Sequence, residues 1–281
     1  MRRLTRCIDA ALDEDIGSGD ITTDAIIAES LAAAGVVRVK EDAVVAGLPV
    51  AEQVFHRVDP GIRMTCSVHD GDRVRKGTII ARVSGRASSI LIAERTALNF
   101  LMRMSGIATV TRRYLQELRG TGVVLLDTRK TAPGLRMTDK YAVRAGGGTN
   151  HRFGLFDGIL IKDNHIKAAG SVASAVRSIR GVRPYQKIEI EVKNKEELRE
   201  AIRAGADIVL LDNMDPGMLK ESLSIARGKI LTEVSGNITL ENIRAVAGAG
   251  PDFISTGAIT HSAKAIDISM KLTNLYKKER P

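Results

Sequence analysis

The chain has 281 residues, 44% of them hydrophobic and 27% charged, which is material for one large or two ordinary globular domains with an ample core. A formal charge of +9 permits a nucleic-acid partner, but aromatic residues are only 3%, Trp is absent, and the basic residues are dispersed without a reader motif, so small anionic ligands match that charge better. No apolar run approaches the roughly 18 residues of a membrane span, the basic N-terminus lacks the apolar core of a signal peptide, and Cys7 and Cys66 form no metal or disulfide pattern, which predicts a cytoplasmic protein with neither a membrane nor a nucleic-acid partner.

Residues 4–16 have the spacing of a short amphipathic helix, followed by a turn at 17–20. Val- and Ile-rich runs within 34–45 and 62–83, broken by Gly and Asp, predict a small antiparallel β unit. The piece HDGDRVRKGTIIARVSG (69–85) has the turn-strand rhythm of lipoyl- and biotinyl-type sandwiches, but no Lys occupies the hairpin setting those carriers modify, so it reads as a structural β module.

From Ala93 the pattern turns helical, with Leu98, Leu101, Ser105 and Ala108, then Tyr114, Leu115 and Leu118, at three- and four-residue steps. Gly106 is expected to bend or divide this segment, which connects an N-terminal α/β-sandwich domain (1–105), joined by a C-terminal helix at 266–281, to an α/β-barrel catalytic domain (106–265).

Beyond residue 120 strands alternate with helices: strands are predicted at 123–126, 158–162, 187–192, 208–212, 230–234 and 253–256. Asn194 with Glu197 resembles a capping box, Asp215-Pro216 supplies an N-cap with Pro at the first helical position, and Gly205 and Gly228 suit helix ends. Repeated βα units require parallel strands, in a barrel or in an open doubly wound sheet. Lys162, Glu191, Asp212, Glu233 and Ser235 fall at or just past strand C-termini, where barrel active sites are assembled, which favours the barrel; six strands rather than eight make it incomplete.

Three features of this half carry chemistry. Glu191 and Asp212, one βα unit apart on one rim, suit a hard cation such as Mg2+, which takes one or two carboxylates plus substrate oxygens. Ser235-Gly236-Asn237, before a helix expected near Thr239, and Thr256-Gly257-Ala258 one unit later are paired turns able to cradle a phosphate. The segment 127–165, DTRKTAPGLRMTDKYAVRAGGGTNHRFGLFDGILIKDNH, gathers Arg129, Lys130, Arg136, Lys140, Arg144, His151, Arg152, Lys162 and His165, the groups needed to hold a small polyanion.

The strings DTRKTAPGLR (127–136), KYAVRAGGGTNHR (140–152) and LIKDNH (160–165) resemble the quinolinate phosphoribosyltransferase family, as do EDIGSGDITT (14–23), ERTALNFLMRMSGIAT (94–109), LLDNM (210–214) and SGNITLENI (235–243). The resemblance spans nearly the whole chain in the family's order. It implies the type II phosphoribosyltransferase architecture, an N-terminal α/β-sandwich domain followed by an incomplete α/β barrel. It also implies that quinolinate and phosphoribosyl pyrophosphate are converted to nicotinate mononucleotide, pyrophosphate and CO2 in NAD biosynthesis.

By the same resemblance, Arg95, Arg129, His151, Arg152 and Lys162 hold quinolinate, and Lys130 and Lys162 also face the phosphoribosyl donor. Glu191 and Asp212 hold Mg2+ and the ribose hydroxyls, so the catalytic set is Lys130, Lys162, Glu191 and Asp212, while Ser235, Gly236, Asn237, Thr256 and Gly257 bind the 5-phosphate. Arg95 is implied to enter from the neighbouring subunit of a homodimer or of a larger assembly such as a hexamer. Departures from the commonest family pattern are Asn237 in place of Gly, Ala132 in place of Thr, and Lys193 in place of an acidic residue. The competing readings are a molybdenum-transport-associated relative of the same fold and a Schiff-base lyase using Lys162.

Overall fold

The computed structural model describes residues 2–277. In chain order these form α1 (Arg2–Ile16), α2 (Ile21–Ile26), β1 (Leu31–Val39), β2 (Ala43–Val44), α3 (Leu48–Val58), β3 (Arg63–Cys66), β4 (Arg73–Val74), β5 (Ile79–Arg86) and the long α4 (Ala87–Glu117). There follow β6 (Val124–Leu126), α5 (Arg136–Ala145), β7 (Ile159–Ile161), α6 (Asp163–Ala169), α7 (Val172–Val182), β8 (Ile188–Val192), α8 (Lys195–Ala204) and β9 (Ile208–Asp212). The chain continues through α9 (Pro216–Ala226), β10 (Leu231–Ser235), α10 (Ile243–Gly248), β11 (Phe253–Ser255), α11 (Ala258–His261) and β12 (Ile268–Lys277). Among the described residues no helix is long and apolar enough to cross a membrane.

Two compact units emerge. The first takes residues up to 112, 132–147 and those from 263 onward; the second takes 113–131 and 148–262. In the first, an antiparallel sheet of order β12-β1-β5-β3 is accompanied by the β2-β4 pair, the small β unit expected from the sequence. The expected C-terminal helix is instead β12, paired with β1 through Val36↔Lys271 and Val39↔Ile268, while 278–281 lie outside the described residues. The physical reason is a period of two in Ile268, Met270 and Leu272, the first two buried, which places one face against the core.

The predicted helical face on α4 is buried at Leu98, Leu101, Ser105 and Ala108. Gly106 neither bends nor divides the helix, which runs unbroken through it. A Cβ there would stand 2.2 Å from the Lys264 carbonyl oxygen, so the glycine serves the close passage of another backbone. Arg103 on α4 grips the fully buried Asp139 of α5 through Nε at 2.8 Å and Nη2 at 2.7 Å.

In the second unit all six strands are parallel, in the order β6-β11-β10-β9-β8-β7. Hydrogen bonding leaves β7 at one edge, while a single parallel bridge, Leu126↔Thr149, adds residue 149 beside β6 at the other, so the barrel is not closed. The predicted strands match within one or two residues, and the helices between them have the predicted punctuation. Asn194 accepts the Glu197 N–H, Asp215 accepts from Gly217 and Met218, and Gly205 ends α8 in the left-handed conformation. The reciprocal arm of the capping box differs, since Glu197 accepts from Lys193 N instead of Asn194 N.

Candidate active site

Strand periodicity builds the site. On β8, Ile188, Ile190 and Val192 are fully buried on one face, each stabilising the fold by about 1.5–3 kcal/mol, and Glu189 and Glu191 therefore project from the other. The register sets Glu191 opposite Leu210, Leu210 opposite Glu233, and Asp212 opposite Ser235, so acidic and small polar residues of three strands share that second face. A cleft of about 310 Å³ opens there, and Arg129, Lys130, His151, Arg152 and Lys162 supply its basic lining.

These basic groups come from three separate stretches, and buried carboxylates assemble them. Asp127, fully buried at the end of β6, accepts from Asn150 Nδ2 at 2.7 Å and from the His151 N–H at 2.8 Å. That ties residues 150–152 to the strand leading into Arg129-Lys130. Inside the cleft His151 Nε2 lies 3.1 Å from Glu189 and 3.4 Å from Glu233, both carboxyls almost wholly buried. Burial alone would draw the imidazole pKa down, but its hydrogen bonds to Glu189 and Glu233 and their charges prevail and push it up to about 10.

The Arg152 N–H donates to His151 Nδ1 at 2.7 Å, a bond only the neutral ring accepts. The Nε2–H reaches the carboxylates in either form of the ring, and the negative charge of Glu189 and Glu233 favours the imidazolium at the expense of the bond from Arg152. Burial and the neighbouring charge of Glu233 raise the Glu189 carboxyl against the pull of His151. Donor atoms of His151, Glu189 and Glu233 lie within 4.8 Å of one another, and hydrogen bonding accounts for that spacing.

Arg152 also donates through Nη1 to Gly158 O at 3.2 Å. Burial, then the like charge of Arg129, lowers the pKa of its guanidinium. Two cations thus crowd together in a partly desolvated pocket, a situation that an anionic ligand relieves.

Lys162 Nζ donates to Glu191 Oε2 at 2.8 Å, pairing a residue expected on substrate with one expected on metal. Asp212, on the next strand, accepts from Asn213 Nδ2 at 3.0 Å. Glu191 and Asp212, at the ends of neighbouring strands, are hard oxygen donors of the kind that would hold a magnesium ion. Lys193, the departure near this rim, is turned to Asp163 at 3.0 Å.

Ser235, Gly236 and Asn237 line the cleft. The helix expected near Thr239 begins only at Ile243, because Asn242 Oδ1 accepts the Thr239 N–H and holds the intervening residues as a turn. Any anion there would meet turn amides and not a helix end. In the second turn Thr256 is buried, its hydroxyl donating to Ile238 O at 3.1 Å and accepting from Ala258 N at 3.2 Å. Gly257 is wedged: a Cβ would stand 2.8 Å from both Lys130 Cδ and His261 Cδ2.

Other expected residues lie elsewhere. Arg95 is exposed on α4 in the first unit, and Arg136, Lys140 and Arg144 belong to α5 of that same unit, with Lys140 buried. His165 caps its own turn, its Nδ1 accepting from Lys162 N at 2.9 Å. Sequence reading missed Glu189, Asp127 and Asn213, which line the cleft or hold its lining in place. The alternation IEIEV at 188–192 was a signal for Glu189, since a strand that buries every second residue must aim both glutamates at one place.

Residues 20–105 match the N-terminal domain, and residues 107–271 the C-terminal domain, of quinolinate phosphoribosyl transferase. The chain belongs to that family. It is 45% identical over 261 residues, 92% of this chain and 90% of the relative, to the probable nicotinate-nucleotide pyrophosphorylase [carboxylating] of Bacillus subtilis. It is 43% identical to a mitochondrial quinolinate phosphoribosyltransferase [decarboxylating] of Nicotiana glauca, over 96% of this chain and 82% of that one. Among solved structures, the nicotinate-nucleotide pyrophosphorylase of Francisella tularensis superposes with a TM-score of 0.91 at 43% identity, covering 97% of this chain and 96% of that one. NadC of Streptococcus pyogenes gives 0.92 at 40% identity, covering 98% and 97%.

Proposed function

We propose that this enzyme transfers the phosphoribosyl group of phosphoribosyl pyrophosphate to the ring nitrogen of quinolinate and releases CO2 and pyrophosphate, giving nicotinate mononucleotide for NAD biosynthesis. The observation that carries the reading is the convergence of Arg129, Arg152, His151 and Lys162 on one small cleft, a pattern of cations and donors suited to a ligand with two carboxylates.

In this reading Arg129, Arg152 and His151 orient quinolinate, with Arg95 of the partner subunit completing the pocket in a homodimer or larger assembly located in the cytoplasm. Lys130 and Lys162 face the donor's phosphates, and the amides around Gly236 and Gly257 receive its 5-phosphate. Glu191 and Asp212 would hold Mg2+ and the ribose hydroxyls, the metal supplying neutralisation of leaving-group charge when bound. The ring nitrogen attacks the anomeric carbon as the bond to pyrophosphate breaks, and the positive charge building on the sugar and ring sits against the carboxylates of the rim. The carbon–carboxylate bond then breaks, its electron pair remaining on the ring carbon beside the now quaternary nitrogen until a proton is taken up. No protein nucleophile is required.

The test is to incubate purified protein with phosphoribosyl pyrophosphate, magnesium and either quinolinate or nicotinate, following nicotinate mononucleotide. Product from quinolinate alone is expected; turnover of nicotinate, or none from quinolinate, would overturn the assignment.

A further inference from the structure

Among the described residues only Asn213 and Asn237 combine a side chain with positive φ, at 53° and 51°. Left-handed backbone disfavours L side chains, asparagine least, and such conformations persist where surroundings impose them. Both lie on one rim: Asn213 directly follows β9, and Asn237 stands two residues beyond β10. Their hydrogen bonds form one connected path. Asn213 N donates to Ser235 O at 3.0 Å, Asn237 Nδ2 donates to Asn213 Oδ1 at 3.1 Å, and Asn213 Nδ2 donates to Asp212 Oδ2 at 3.0 Å. The Asn213 amide is packed against Gly236, where an added Cβ would collide with its Oδ1 and Cγ.

An amide accepts at one end and donates at the other, and both ends of Asn213 are used. Neither a carboxylate nor an apolar side chain can join the same two neighbours. The Asn237 side chain is an addition to what the backbone needs, since glycine would adopt that conformation freely.

We infer that Asn213 is a positioning residue for the phosphoribosyl donor: it aims the Asp212 carboxylate and braces the Gly236 turn, and Asn237 locks it. The two anchor points for the donor, one for ribose and one for phosphate, are thereby held at a fixed separation before the donor arrives. The inference rests on the donor-site reading of Asp212 and the 235–237 turn.

The experiment measures dissociation constants by calorimetry for phosphoribosyl pyrophosphate with magnesium, and for quinolinate, together with KM for each. The variants are Asn213→Gly and Asn237→Gly, which keep left-handed backbone accessible, Asn213→Asp, which keeps the acceptor and loses the donor, and Asp212→Asn. Asn213→Gly should weaken donor binding about three- to tenfold, and Asn237→Gly by about two- to threefold, with quinolinate binding unchanged. Asn213→Asp, setting a second negative charge against Asp212, should weaken the donor at least as much as Asn213→Gly. Parental donor affinity in Asn213→Gly and Asn213→Asp, or equal weakening of both substrates, overturns the inference while a weakened Asp212→Asn leaves the site reading standing. Parental donor affinity in Asp212→Asn overturns the reading beneath it.

Discussion

Lys162 and Glu191 occupy the ends of neighbouring parallel strands and meet across 2.8 Å, the lysine half-exposed and the glutamate almost buried. The pair divides unequally on mutation. Lys162→Ala leaves a buried carboxylate without its cation, and after discounting for the exposed partner a loss of about 1–2 kcal/mol is expected. Glu191→Gln keeps a hydrogen-bond acceptor and should cost less than about 1 kcal/mol in stability while still impairing magnesium-dependent turnover. Denaturant titration of both variants checks this, and equal losses of stability would refute the asymmetry.

Arg129→Ala should raise KM for quinolinate with little change for the donor, because in the proposed pocket it removes one of two neighbouring guanidiniums assigned to the dicarboxylate. Asp212→Ala should do the reverse and make the magnesium requirement steeper. Each loss is expected to be about 2 kcal/mol, roughly thirtyfold in the affected KM. Unchanged quinolinate saturation in Arg129→Ala would remove that residue from the pocket.

The folded pKa of His151, about 10, lies above the ordinary imidazole value near 6.5, so native protein binds the proton more tightly than unfolded chain. That stabilisation is complete below about pH 6.5 and is lost as pH rises toward 10, with a slope of up to about 1.4 kcal/mol per pH unit. Stability should fall across this window in the parent, less in Glu233→Gln, and least in His151→Asn. Parallel curves for parent and His151→Asn would contradict the raised pKa.

Two glycine-to-alanine changes separate site from scaffold. Gly257 has ordinary right-handed backbone, and the obstacles to a methyl are the flexible Lys130 chain and the exposed His261 ring. Gly257→Ala should therefore keep stability within about 1 kcal/mol while raising donor KM about tenfold. At Gly106, helix propensity favours alanine by about 1 kcal/mol, but the Lys264 carbonyl that an added methyl would strike is backbone and cannot yield as a side chain does, so a net loss of about 1–3 kcal/mol is expected. Thermal unfolding and kinetics on both variants decide it.

Mixing two inactive variants, Arg95→Ala and Asp212→Ala, should restore activity if each pocket draws Arg95 from the partner subunit, since some mixed dimers then carry one intact site. No recovery after verified subunit exchange would place Arg95 in its own subunit's site.

What the sequence made legible was governed by range. The parallel strands announce themselves through short apolar runs with polar ends, and Asp215-Pro216 or Asn194 needs only local chemistry to mark a helix start. Residues 268–277 were misjudged because their partner, β1, is more than two hundred residues away, and pairing with a remote edge decides their conformation. Gly106 was misread for the same reason, its neighbour being Lys264. Glu189 was legible only in part: the IEIEV alternation aims it the same way as Glu191, but its pairing with His151, 38 positions earlier, shows only in the fold.

The Arg103–Asp139 pair has a consequence for how such proteins are recombined. The chain crosses between its two units at 112/113, 131/132, 147/148 and 262/263, so α5 belongs to the unit that the preceding strand has already left. A chimera joined at 105/106 inherits Arg103 from one parent and its buried counter-ion from the other. Such a hybrid keeps the pair only where the second parent also supplies an aspartate at 139, so α5 is the segment whose exchange decides whether Arg103 stays neutralised.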